Sequence, residues 1–230
     1  DFFFGYYLVR RWCKRFGLRW DALENSLPVI VLIGAYISQL VAILLYQPEN
    51  RDNLSLLLNP WSGLSAFGGM FGGTLVSAVY FRYKRLPFWL YHDAIAYGFV
   101  GGFIFGRLGC FAAHDHPGVP TEFVLGVHVM GAIRHDLGLY LMLVMVALFG
   151  AITWMARRGH PAAGSVNALI CTVYPPIRFY LDGLRINEVT YWGWTPGQWF
   201  CFPTFAFGLW ALSVACKPSS AAARHGGPRE

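Results

Sequence analysis

Residues 98–118 read GFVGGFIFGRLGCFAAHDHPG, and the fold turns on what this stretch is. Counted back to Phe88, its apolar part supplies the roughly 20 mostly apolar residues that a membrane-spanning helix needs. It then meets Arg107, Cys110, His114, Asp115 and His116 within ten positions. The spacing therefore predicts a span over 88–106 with its polar chemistry at one mouth. Gly98, Gly102 and Gly106 recur at intervals of four, as do Gly68/Gly72 and Gly69/Gly73 in FGGMFGG. Small residues so spaced let a neighbouring backbone approach closely.

Composition extends this reading to the whole chain. Of 230 residues, 56% are hydrophobic, 17% aromatic and only 13% charged, and mean hydropathy is +0.43. A soluble domain carries about twice that charged fraction, so lipid is the solvent for most of this surface. Further spans are expected at 26–47, 63–81, 138–156, 165–181 and 199–216. A seventh is cut short at residues 1–9, DFFFGYYLV, as if the chain began inside its first helix. The fold class is all-α: a polytopic integral membrane protein of about seven transmembrane helices. A single transmembrane domain covers 1–216, with an outer-face loop at 107–137 and a disordered cytoplasmic tail at 217–230. The five cysteines show no CxxC pair, and Cys171 and Cys201 read as small buried hydrophobes.

Basic residues set the orientation. Arg10, Arg11, Lys14, Arg15, Arg19, Arg82, Lys84, Arg85, Arg157, Arg158, Lys217, Arg224 and Arg229 fall in alternate connections, leaving Arg51, Arg107, Arg134, Arg178 and Arg185 for the other side. Positive residues stay cytoplasmic. The C-terminus is then cytoplasmic, and the net charge of +6 reflects topology and no nucleic-acid partner. The 106–118 cluster lies on the outer side.

Several polar groups at this outer level need a reason. Arg107 and Arg178 fall at span ends, where each can snorkel or pair with an acid, or the two can clamp a phosphate bidentately. Pro175 and Pro176 interrupt the fifth complete span; Arg178, Asp182 and Arg185 follow at steps of four and three and share a helical face. His114, Asp115, His116 and the His135–Asp136 pair offer imidazoles suited to proton transfer near neutral pH. His-x-His is also a weak zinc signal, and loop histidines without a role are common. His92 and Asp93 sit near the opposite end, where capping or packing is expected. Cys110 is a nucleophile only if a base lies beside it.

In sequence order these motifs resemble the prolipoprotein diacylglyceryl transferase family over almost the whole chain. GRLGCFAAHDHPG is similar to the family's Gly-Arg-Ile/Leu-Gly-Asn-Phe followed by Asn, Glu and Gly. GYYLVRRWCKRFGL, GLSAFGGMFGG, RHDLGLY, IRFYLDGLR and TPGQWFCFP match further segments. The resemblance implies transfer of the diacylglyceryl group of phosphatidylglycerol to a lipobox cysteine thiol of a prolipoprotein, with release of glycerol phosphate. It implies the outer face of a bacterial inner membrane, the bilayer as environment, and neither a metal nor an organic cofactor. A divergent relative with another acceptor, a lipid hydrolase, and a non-catalytic lipid-headgroup-binding or transport protein are the alternatives. By residue match Arg107 and Arg178 hold the lipid phosphate, with Gly118, Arg134, Tyr140, Asp182 and Arg185 completing the lipid site. Asp115 stands where the family has Glu, and His135 matches the start of the following helix. Where the family has His, Asn and Glu, this chain has Phe67, Cys110 and Leu141. His114 and His116 are extra histidines in the same motif, and are expected to supply the missing base. The catalytic set is then His114, Asp115, His116 and His135.

Overall fold

The computed structural model describes all residues except 1, 51, 54, 57–58, 60–62, 187 and 217–230. The expected tail and the expected positions of Arg51, Lys217, Arg224 and Arg229 lie outside the described residues. Helices dominate: α1 (Phe2–Phe16), a short α2 (Trp20–Glu24), α3 (Leu27–Val41) continued by a π turn (Ala42–Tyr46), α4 (Ala66–Tyr83), α5 (Phe88–Ala113), α6 (Leu137–Arg158), α7 (Ser165–Asp182) and α8 (Pro196–Ala215). On length and composition alone, four stretches can cross a membrane: Trp20–Tyr46, Phe88–Ala113, Leu137–Arg158 and Pro196–Ala215. α4 and α7, 18 residues each, reach about 27 Å and pack along α3 and α8 respectively. The chain is a polytopic membrane protein, and large side chains such as Leu32, Leu75, Val79, Trp154 and Trp210 face outward from its helices.

Antiparallel neighbours pair as α3 with α4, α5 with α6, α7 with α8, and α1 with α5. The glycine spacing explains the first pair. A Cβ built on Gly68 would meet Val41 Cβ at 2.8 Å, and one on Gly72 would meet Ile37 Cβ at 2.8 Å, so the two backbones are in near contact. The core between helices is filled by Leu23, Phe81, Val100, Leu141, Met145, Ile152 and Val166.

Three expectations change. The outer segment is neither all loop nor all helix. α5 runs on to Ala113, past the expected end at 106, so Arg107 and Cys110 are helical. Residues beyond it form an antiparallel sheet, β1 (Pro117–Pro120), β2 (Val127–Val129) and β3 (Ala132–Asp136), in the order β1-β3-β2. β2 and β3 join through Met130 and Gly131, both at positive φ (54° and 77°), the two-residue turn that suits strand twist. Alternation of Val127, His128 and Val129 was the available signal. Second, α1 runs through Arg10, Arg11, Lys14 and Arg15, which belong to its last turns and not to a loop. Third, Pro175 and Pro176 do not break α7. Each proline deprives the carbonyl four residues earlier of its amide. Gly208 of α8 brings its backbone against Cys171, whose carbonyl is one of these two.

At the end remote from Arg107, Asp93 caps α7. Its Oδ2 accepts from Gly164 N at 2.7 Å and its Oδ1 from Asn167 N at 3.0 Å. His92 joins Asn167 Oδ1 (2.8 Å) and Thr74 Oγ1 (3.2 Å). This network is structural, as expected for these two residues.

Candidate active site

α5 ends in a left-handed cap that sorts the polar cluster. His114 has φ 48°, its amide donates to Phe111 O, and Asp115 N donates to Cys110 O. This is a Schellman geometry with histidine where glycine is usual. The reversal turns His114 and His116 to different partners, so the His-x-His spacing does not become a chelating pair. His114 Nδ1 lies 2.7 Å from Asp136 Oδ2. Asp136 is 2% exposed, and its Oδ1 also caps α6 by accepting from Leu139 N at 3.0 Å. A carboxylate only accepts, so His114 Nδ1 carries the proton of this contact.

His116 turns to the arginines. Arg185 Nη2 lies 2.7 Å from His116 Nδ1, the same nitrogen that lies 2.9 Å from the main-chain oxygen of Asp115. Burial, and then the charges of Arg185, Arg107 and Arg178, push its pKa down to about 4 against the opposing pull of Asp115. All three arginines therefore act on one imidazole, although they come from α5, from α7 and from the connection beyond α7. The link between the elements is main-chain: Gly118 bridges to Arg185, and Val119 N donates to Leu184 O at 2.9 Å. A Cβ on Gly118 would lie 2.9 Å from His135 Cβ and 3.0 Å from Leu184 O, so only glycine fits this seam.

Arg107 and Arg178 are each 5% exposed. Neither snorkels. Arg107 lies over the Phe103 ring at 4.7 Å, and its Nη1 approaches Cys110 Sγ at 4.0 Å. Among the described residues its Nε is buried without an acceptor, and so are Nε and Nη1 of Arg178. Asp182 Oδ1 lies 2.8 Å from Arg178 Nη2 but makes no aligned hydrogen bond; Oδ2 accepts from Thr195 Oγ1 at 3.3 Å. Arg185 pairs with Glu188 at 2.7 Å and reaches Asp182 at 3.8 Å. Burial raises the Glu188 carboxyl's pKa and lowers that of Arg185, with Arg178 adding to the latter. A Cβ on Gly197 would collide with Asp182 Oδ2, which makes room for this carboxylate at the start of α8.

Cys110, Asp115 and His116 bring potential ligand atoms within 4.8 Å of one another. Thiolate, carboxylate and imidazole form a zinc-type donor set. The surrounding guanidiniums oppose a cation and favour an anion.

The remaining expected residues form a second group on the sheet. His135 Nδ1 meets Tyr140 Oη at 2.8 Å, and Phe123 packs against both rings. Arg134 Nη1 donates to Gly118 O at 3.3 Å. Among the described residues no hydrogen bond or ion pair joins His135, Tyr140 or Arg134 to Arg107, Arg178 or Arg185. Sequence reasoning missed Glu188 and Thr195. Glu188 follows Arg185 by three residues, and Thr195-x-x-Gln198 spells a capping box, which is what forms: Gln198 N donates to Thr195 Oγ1 at 3.1 Å and Thr195 N to Gln198 Oε1 at 3.0 Å.

Single guanidinium donors without an acceptor among the described residues, Arg107 Nε and Arg178 Nε and Nη1, thus lie buried at one end of this helical membrane protein. The family profile described as prolipoprotein diacylglyceryl transferase matches residues 1–214, and the chain belongs to that family. It is similar to proteins named phosphatidylglycerol–prolipoprotein diacylglyceryl transferase. The one from Solidesulfovibrio magneticus is 28% identical over 220 residues, 90% of this chain and 83% of the relative. That from Nitratidesulfovibrio vulgaris is 26% identical, covering 92% and 84%. That from Clostridioides difficile is 25% identical, covering 76% and 71%.

Proposed function

We propose that this protein transfers the diacylglyceryl group of phosphatidylglycerol to the cysteine thiol of a lipobox in a prolipoprotein, at the outer face of a bacterial inner membrane. The observation that carries the reading is the set of buried guanidinium donors without acceptors among the described residues, Arg107 Nε and Arg178 Nε and Nη1. Each unmade bond to a buried donor costs about 1–3 kcal/mol. A phosphate between α5 and α7 supplies acceptors to both residues. The basic last turns of α1, α4 and α6 (Lys14, Arg15, Arg82, Arg157 and Arg158) lie at the opposite ends of their helices from this site. That supports an outer site and a cytoplasmic C-terminus.

In the reaction the thiol sulfur bonds to the terminal glyceryl carbon of the diacylglyceryl group. The bond from that carbon to the phosphate oxygen breaks, and glycerol phosphate leaves with its electron pair. Arg107 and Arg178 bind the phosphate and offset the charge that develops on the leaving oxygen. Asp182 orients Arg178, while Arg185 holds the His116 ring in place. The thiol proton passes to His114 Nε2, whose ring Asp136 orients. Asp115, 47% exposed at its side chain, borders the approach to Cys110 and His116. His135, Tyr140, Arg134 and Gly118 support the sheet that closes the site.

The test is transfer in lipid nanodiscs with phosphatidylglycerol labelled in its acyl chains and a lipobox peptide. Label on the peptide thiol supports the reading. Label released as free diacylglycerol identifies a hydrolase, and label retained in the lipid with saturable binding identifies a binding protein. His114→Asn keeps a side chain that tolerates the left-handed cap while removing the base. It is expected to lower kcat about 100-fold with little change in KM, and unchanged kcat removes His114 from the mechanism.

A further inference from the structure

Between the two arginine-bearing elements and α8, the chain reads VTYWGWT at residues 189–195, with no charged side chain. It folds as a tight hairpin. Tyr191 N donates to Trp194 O at 2.8 Å and Trp194 N returns a bond to Tyr191 O at 3.2 Å. Trp192 and Gly193 occupy the turn at φ 50° and 81°. Both central residues at positive φ define the turn normally made by Asn-Gly, and a tryptophan there is an outlier. Trp192 is 92% exposed. The Trp192 ring meets Trp199 edge-on at a centroid distance of 5.8 Å, yet most of this large apolar group stands clear of the protein, in an unfavourable backbone conformation.

The rest of the hairpin is fastened. Trp199 Nε1 donates to Tyr191 O at 3.0 Å, and Tyr191 Oη donates to Leu45 O at 3.1 Å. The Trp194 ring packs on Phe179, Trp199 and Phe202 at centroid distances of 5.6, 4.9 and 5.3 Å. This aromatic band continues directly into the outward-facing Trp199, Phe202 and Phe205 of α8. Both feet of the hairpin stand on the site: Glu188 on Arg185 and Thr195 on Asp182. The helix that follows begins at Pro196, so the tip lies at the level where a span leaves the hydrocarbon. Tryptophan and tyrosine favour that level.

We propose that the 189–195 hairpin is a membrane anchor whose tip, Trp192, sinks into the leaflet at the site end and holds the arginine pocket at headgroup depth. Its partner is the phospholipid surface itself. A headgroup then reaches Arg178 and Arg185 sideways, without its acyl chains leaving the bilayer. The immersion stands on the hairpin alone; the consequence for catalysis rests on the transferase reading above.

The experiment places a dansyl amino acid at position 192, and in separate proteins at Phe202 and Glu122, in nanodiscs of phosphatidylglycerol and phosphatidylethanolamine. Part of the lipid is brominated at acyl carbons 6 and 7, and iodide is the aqueous quencher. The proposal expects position 192 to follow Phe202, quenched by bromolipid and shielded from iodide. Quenching by iodide with no effect of bromolipid, as expected for Glu122, overturns it. So does shielding that develops only when a lipobox peptide is added, since that assigns the tip to the peptide. In the transfer assay Trp192→Ser is expected to raise KM for phosphatidylglycerol about fivefold with kcat unchanged, and an unchanged KM refutes the coupling. If the wild-type protein transfers nothing, the transferase reading fails while the quenching result still decides the anchor.

Discussion

Arg107 shows how a residue can be legible in identity and wrong in setting. An arginine beside the end of an apolar run reads as snorkelling, because a span is normally ended where the first charge appears. Here two more turns of α5 follow it, and the guanidinium lies inside the bundle over Phe103. Only the neighbouring elements decide that, and no local pattern reports them. The face shared by Arg178, Asp182 and Arg185 was legible because helical periodicity fixes it. The division of labour between His114 and His116 was not, since one left-handed residue reverses the chain between them. Lysine cannot reproduce two parallel N–H donors, so Arg107→Lys and Arg178→Lys are each expected to weaken phosphatidylglycerol binding about 10- to 100-fold, read by titration in nanodiscs. His116 makes a pH prediction. Its ring is neutral in the folded protein down to about 4, while in an unfolded chain it takes a proton near its ordinary value of about 6.5. The unfolded state thus binds more protons between these limits. Stability from this group is complete above about 6.5 and is lost as pH falls toward 4. Thermal unfolding should show that fall in wild type and a shallower one in His116→Gln.

At the scale of elements, hydrophobic periodicity located every long helix to within a few residues, except where polar residues continue the helix, as in α1 and α5. The small sheet was missed because its strands are three to five residues long and lie among loop-like residues. Helix contacts make two sharp expectations. Gly72→Ala places a methyl 2.8 Å from Ile37 Cβ and should destabilise by about 1–3 kcal/mol. Gly73→Ala meets nothing closer than Ile30 Cγ2 at 3.8 Å and should be tolerated. Removing the Asp93 carboxylate in Asp93→Ala strips the cap from α7 and should cost about 1–3 kcal/mol. Because this network lies at the far end of α5 and α7, KM for the lipid should stay unchanged in molecules that remain folded. A loss of lipid affinity in Asp93→Ala would show that the two ends are coupled.

For the whole molecule, helices entering from distant parts of the sequence bring α5, α7 and the sheet to one end and leave the basic helix ends at the other. Composition and the alternation of basic residues gave that arrangement in outline. What they could not give is the contact of Arg185 with His116, beside the main-chain bridge between Gly118 and Arg185. The central claim is that Arg107 and Arg178 grip one lipid phosphate together. A double-mutant cycle of phosphatidylglycerol affinity with Arg107→Gln and Arg178→Gln measures it directly. Joint contact predicts that the double variant binds little more weakly than the weaker single variant, with a coupling of at least about 1 kcal/mol. Losses that simply add would mean that the two guanidinium groups act on separate ligands, and the account would fail.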